Sequence, residues 1–146
     1  MKDNDNKLIQ PYLFFDGSCE DAIGFYKRAL GAEVVMMMRY KESPQPPSGP
    51  MPPGSENKIM HAQVRIGQNV VLMSDGHCHG KPVFEGFGLA LTVPSEADAD
   101  KCFGALADGG HVAMPLAKTF FSPRFGMVKD RFGILWMVLV RGPEMR

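Results

Sequence analysis

The chain repeats itself, and that repeat restricts the folds open to it more than any single motif. The segment FFDGSCEDAIGFYKRALGAEV reads as strand, turn, helix and strand. Ser18 opens the helix with Asp21 three residues on, a Ser-x-x-Asp signal offering acceptors to the free N–H groups of a first helical turn. Ala22, Ile23, Tyr26, Ala29 and Leu30 recur at helical spacing, and Gly31 takes the left-handed conformation cheaply at the helix end. Val34–Tyr40 then forms an apolar run suited to a strand. The segment LALTVPSEADADKCFGALADGGHVAM follows the same order. Ser95 and Asp98 open it, Ala99, Cys102, Phe103 and Leu106 form the stripe, and Gly109 and Gly110 close it. Ser18 maps to Ser95 and Tyr26 to Phe103, each pair 77 residues apart. Two later stretches, MHAQVRIGQNVVLM and GMVKDRFGILWMVL, match Arg65 with Arg131 and Gly67 with Gly133 at an offset of 66.

The smaller offset places about twelve extra residues in the first copy, between its second and third strands. ESPQPPSGPMPPGSEN holds six prolines from Pro44 to Pro53, and proline has no N–H to give a sheet ladder. A long exposed loop is expected there, with the shorter PLAKTFFSP as its counterpart. The reading is α+β: two tandem βαβββ units, residues 8–80 and 84–141, joined around GHCHGKP. Neither unit alone has the elements to cover both faces of a sheet, so residues 1–146 are expected to form one domain.

Charge narrows the partners. With 16 basic and 16 acidic residues scattered along the chain, no electrostatic footprint for nucleic acid or an anionic membrane is present. No apolar run reaches the roughly 20 residues of a membrane span, and MKDNDNK lacks the apolar stretch of a signal peptide. Three widely spaced cysteines, Cys19, Cys78 and Cys102, suit reduced thiols better than a disulfide framework, so a cytoplasmic protein is expected.

PYLFFDGSCEDAIGFYKRALGAEVVMMMRYKESP, ENKIMHAQVRIG, LMSDG and MPLAKTFFSPRFGMVKDRFGILWMV resemble the vicinal-oxygen-chelate (glyoxalase/bleomycin-resistance) superfamily. The likeness is to its PhnB-like branch, also labelled 3-demethylubiquinone methyltransferase-like. The resemblance implies a curved mixed sheet around a cup, completed in a homodimer. It also implies, for members with enzyme activity, a divalent metal held from the first and last strands of each unit. Carried over by the repeat offsets, those positions fall at Pro11, Gly88, Met137 and Val71, none of which offers a hard ligand. No metal and no cofactor are therefore expected.

Other residues bear chemistry. His61, which carries part of the resemblance, lies in a strand and is a candidate base or hydrogen-bond donor. TFFSPRFG places Ser122 and Arg124 among Phe120, Phe121 and Phe125, the mixture of apolar rings and few polar groups that lines ligand pockets. The expected ligand site is a cup lined by Tyr40, His61, Phe121, Phe125 and Trp136, with Arg124 at its mouth for an anionic ligand. Trp136 is in tension with Met137, because neighbouring strand residues face opposite ways. Asp75 reads first as turn chemistry, His77-Cys78-His79 as a solvated loop, and His111 as exposed. Cys19 sits where a helix N-terminus lowers a thiol pKa, but no histidine is near in sequence. No strand runs through a glycine-rich turn into a helix, so the methyltransferase label has no local support. The leading reading is a metal-independent, small-molecule-binding homodimer. An enzyme on a small organic substrate (a lyase, an isomerase or a quinone-related methyltransferase) and a structural or interaction domain remain open alternatives.

Overall fold

A computed structural model describes residues 6–44, 53–76 and 80–142. The chain divides into two compact units, Met1–Pro82 and Val83–Arg146. The first contains β1 (Tyr12–Phe14), α1 (Cys19–Leu30), β2 (Glu33–Arg39), β3 (Ile59–Ile66) and β4 (Asn69–Ser74). The second contains β5 (Leu89–Val93), α2 (Glu96–Ala107), β6 (His111–Ala117), β7 (Phe125–Lys129) and β8 (Leu135–Val140). Each unit is thus βαβββ and forms one four-stranded mixed sheet, ordered β1-β4-β3-β2 in the first and β5-β8-β7-β6 in the second. In both, the first strand pairs parallel to the last, and the other pairings are antiparallel.

Strand alternation divides each sheet into a face under its helix and an open face. In the first unit Leu13, Ala62, Val64, Val71 and Met73 are buried on one side, as are Ala22, Ile23, Phe25 and Tyr26 of α1. In the second unit Gly126, Val128, Trp136 and Val138 lie beneath α2, with a Cβ at Gly126 falling 2.8 Å from the Phe103 ring. The predicted helix ends hold: Gly31 adopts φ 67°, and Ala32 N–H returns to the Tyr26 carbonyl at 3.2 Å.

The strand registers correct the repeat offset in the hairpins. β3 and β4 join through the two-residue turn Gly67–Gln68, because Ile66 pairs with Asn69. β7 and β8 join through five residues, because Lys129 pairs with Leu135. The Arg-x-Gly letters therefore recur in unlike settings: Arg65 lies within β3, one residue before its end, whereas Arg131 lies in a loop. Matching side-chain faces gives Val64 with Val128, 64 residues apart, and Leu72 with Met137, 65 apart. The first two strands keep an offset of 78, Tyr12 with Ala90 and Val34 with Val112.

The extra residues of the first copy fall between β2 and β3, as expected, with 45–52 outside the described residues. The described ends of this connection are two short 3-10 turns, Tyr40–Glu42 and Ser55–Asn57. They are tied together: Arg39 donates to the Asn57 carbonyl at 2.7 Å, and Lys41 to the Asn57 side chain at 3.0 Å. The same Arg39 forks onto Glu20 of α1 at 2.6 and 3.0 Å.

Candidate functional site

In the first unit the start of α1 is organised from a distance. The Ser18 side chain makes no capping bond; its hydroxyl donates to the Phe15 carbonyl instead. The acceptor is Asp75, just past β4, whose Oδ1 takes N–H bonds from Gly17 and Cys19 at 2.5 and 3.0 Å. Its Oδ2 takes the Ile59 N–H at 2.9 Å, so one carboxylate, 6% exposed, ties α1 to the ends of β3 and β4. Asp75 is thus a buried cap. Cys19 gains nothing as a nucleophile: burial, then the Asp75 charge, pushes its thiol far above the ordinary range.

The open face of this unit carries the polar chemistry. Tyr12 pairs with Leu72 and Phe14 with Ser74, while Met36 lies opposite Gln63 and Met38 opposite His61. Tyr12, Ser74, His61 and Gln63 therefore share one face across three adjacent strands. Tyr12 reaches over β4 to His61, with Oη 2.6 Å from Nδ1 and the Tyr12 ring stacked on Phe14 at 4.7 Å. Tyr12 is 39% exposed and His61 half-buried, so the pair reaches the surface of the sheet. Burial, and next the Tyr40 phenol, holds the Tyr12 hydroxyl above the ordinary tyrosine range. Tyr40 stands in the turn after β2, where its hydroxyl would lie 2.7 Å from a Cβ at Gly76, and Ser74 Oγ 3.2 Å from that same point. Two of the predicted residues, Tyr40 and His61, thus lie around one cluster. Tyr12 was the omission: it stands one residue from the Pro11 position, and the alternation of Tyr12 and Phe14 against Leu13 was its only signal.

In the second unit the four remaining residues separate. Phe125 lies on the open face opposite Leu139, and Phe121 meets its ring edge-on at 5.0 Å. Arg124 belongs to the other side. Its Nε and Nη2 both donate to Asp100 Oδ1 of α2, at 2.9 and 2.6 Å, so it is a partly exposed ion pair at the helix. Trp136 is 3% exposed on the α2 side, opposite in direction to Met137, and its indole N–H donates to Asp130 at 2.9 Å. Alternation decided both cases: Arg124 precedes the open-face Phe125, and Trp136 precedes the open-face Met137. Ser122, buried, is structural, with its hydroxyl 2.6 Å from the Val140 carbonyl. His111 is exposed at the start of β6, and the His77-Cys78-His79 run lies outside the described residues.

The structure also tests a metal at the strand positions the resemblance implies. At the positions nearest those carried over, the open-face residues of the first and last strands are Tyr12 and Leu72 in one unit, Ala90 and Met137 in the other. These replace Pro11, Val71 and Gly88 as the matched positions. A neutral phenol, two aliphatic side chains and a thioether do not fit a divalent cation that prefers imidazole or carboxylate. Among the described residues no three His, Cys, Asp or Glu side chains are grouped to hold an ion.

Two mixed four-stranded sheets from repeated βαβββ units agree with the family comparison. Residues 8–138 match the Glyoxalase/Bleomycin resistance protein/Dioxygenase superfamily, and the chain belongs to it. It is 37% identical over 140 residues to protein YjdN of Escherichia coli, covering 90% of this chain and 94% of that protein. Protein PA1353 of Pseudomonas aeruginosa, 38% identical, aligns over 94% of this chain and 99% of its own with a TM-score of 0.80. A PhnB protein from Bacillus cereus, 28% identical, aligns over 92% and 99% with a TM-score of 0.75.

Proposed function

We propose that the protein binds a small organic molecule on the open face of its first unit, without a metal, and works as a homodimer in the cytoplasm. The observation that carries the reading is the Tyr12–His61 pair, a 2.6 Å hydrogen bond held across a strand on the half-exposed face of the sheet turned away from α1. Polar groups on a sheet surface are ordinarily solvated singly; here two are joined and flanked by the half-buried Met36, Met38 and Leu72. The lack of a hard ligand set at the four strand positions supports metal independence. Free Cys19 and Cys102 suit a reducing compartment. Dimer formation is supported by the apolar edge strands, with Val34, Val35 and Met37 on β2 and Val112 and Met114 on β6 exposed.

Native mass spectrometry of the purified protein tests these points together. The expected species has twice the 16.1 kDa chain mass and no bound divalent ion. A chain-mass species at micromolar concentration would remove the dimer, and one metal ion per chain would remove metal independence. For the site, His61→Ala is expected to abolish the thermal shift given by any small-molecule hit while leaving the unliganded melting temperature within a few degrees. An unchanged shift would move the ligand off this face.

A further inference from the structure

The ligand site just proposed has a second property, its charge, and the following inference rests on that reading. We infer that Tyr12 fixes His61 as a neutral hydrogen-bond donor, through Nε2–H, for the carbonyl or similar oxygen of an uncharged, flat ligand. The assignment starts from the 2.6 Å contact between Tyr12 Oη and His61 Nδ1. Burial holds the phenol proton in place at neutral pH and so keeps a donor facing Nδ1; in the proposed tautomer the hydroxyl donates and Nδ1 accepts. A neutral imidazole accepting at Nδ1 carries its own proton on Nε2. That nitrogen has no partner among the described residues, and the ring is half-buried on the open face.

The surroundings set the class of ligand. On the same face, Gln63, Ser74, Met36, Met38, Leu72 and Phe14 are all uncharged. The guanidinium nearest by sequence expectation, Arg124, is in the other unit's helix-side ion pair with Asp100. Arg65 also lies along this face, at its far end, where Glu33 stands 4.0 Å away. A carboxylate placed at His61 would therefore lose its hydration against uncharged donors, with no fixed cation beside it among the described residues of this face, which is unfavourable. A ketone or amide oxygen needs only the one donor, and two thioethers and the Tyr12–Phe14 rings suit a flat apolar body.

The test uses the full-length protein, with two probes of equal shape, 4′-fluoroacetophenone and 4-fluorobenzoate, followed by fluorine NMR. Nitrogen-15 spectra of the unliganded protein report the His61 tautomer independently. The expected results are a proton on Nε2, binding of the ketone at least about tenfold tighter than the benzoate, and a three- to tenfold loss of ketone affinity, about one hydrogen bond, in Tyr12→Phe. A proton on Nδ1, or preference for the benzoate, would overturn the donor assignment while leaving a ligand site on this face. Silence from both probes would overturn this inference and the ligand site with it.

Discussion

The two units share a plan and differ on their open faces. Position by position on the open faces, Tyr12 corresponds to Ala90, His61 to Phe125, Gln63 to Met127 and Ser74 to Leu139. At these four positions one copy presents hydroxyl, imidazole and amide and the other only hydrocarbon and thioether, while Thr92 and Lys129 are polar groups elsewhere on the second open face. The helix-side faces, by contrast, are apolar in both. Burial beneath a helix constrains a residue to be apolar in either copy, whereas the open face is free to diverge, so a site can arise in one unit without disturbing the fold.

The supporting carboxylates differ in the same way, and removing them should produce the largest effects. Asp75→Ala strands three backbone N–H groups, two of them buried, and is expected to destabilise by about 3–5 kcal/mol in urea unfolding. A loss below about 1 kcal/mol would mean that water replaces the carboxylate. In the second unit Asp130 plays the organising part at a different place. It accepts from Phe132 and Ile134 N–H groups and from the Trp136 indole, closing the five-residue hairpin loop. Asp130→Ala is expected to cost about 2–4 kcal/mol, and Trp136 fluorescence should report the loosened hairpin. An unaltered spectrum and stability would show that the loop holds without it.

The helix caps sharpen the comparison at smaller scale. Ser95 accepts from the Asp98 N–H at 3.1 Å and donates to its carboxylate at 2.8 Å, whereas Ser18, in the same Ser-x-x-Asp pattern, caps nothing with its side chain. Ser95→Ala should therefore cost about 1 kcal/mol and Ser18→Ala clearly less. Equal losses would erase the distinction between a local and a remote cap. The smallest effect is expected for Arg124→Ala, whose ion pair with Asp100 is partly exposed and worth at most about 1 kcal/mol. A large loss of ligand affinity in that variant would return Arg124 to the site.

Much of this was legible in the sequence, and the failures have physical causes. Both helices, their glycine ends and the eight strands follow from local periodicity and turn chemistry, which the chain states twice. The hairpin offset was misread because identical letters, Arg-x-Gly, occur once in a two-residue turn and once within a longer loop, and only strand pairing distinguishes these. The Ser18 cap was misread because its replacement, Asp75, lies 56 residues from Cys19. Residue type, and for His61 the family resemblance, singled out His61, Tyr40, Phe121 and Phe125 as candidates, but not which way a strand residue faces. That left Tyr12 out of the ligand-site candidates, weighed only as a metal position, and sent Arg124 and Trp136, each one residue out of phase, to the wrong side.

A crystal structure of the protein soaked with a small neutral carbonyl compound tests the central claim most directly. The account predicts a ligand oxygen within hydrogen-bond distance of His61 Nε2, with the Tyr12–His61 bond intact. A ligand whose polar atoms touch no open-face residue of the first unit would contradict it.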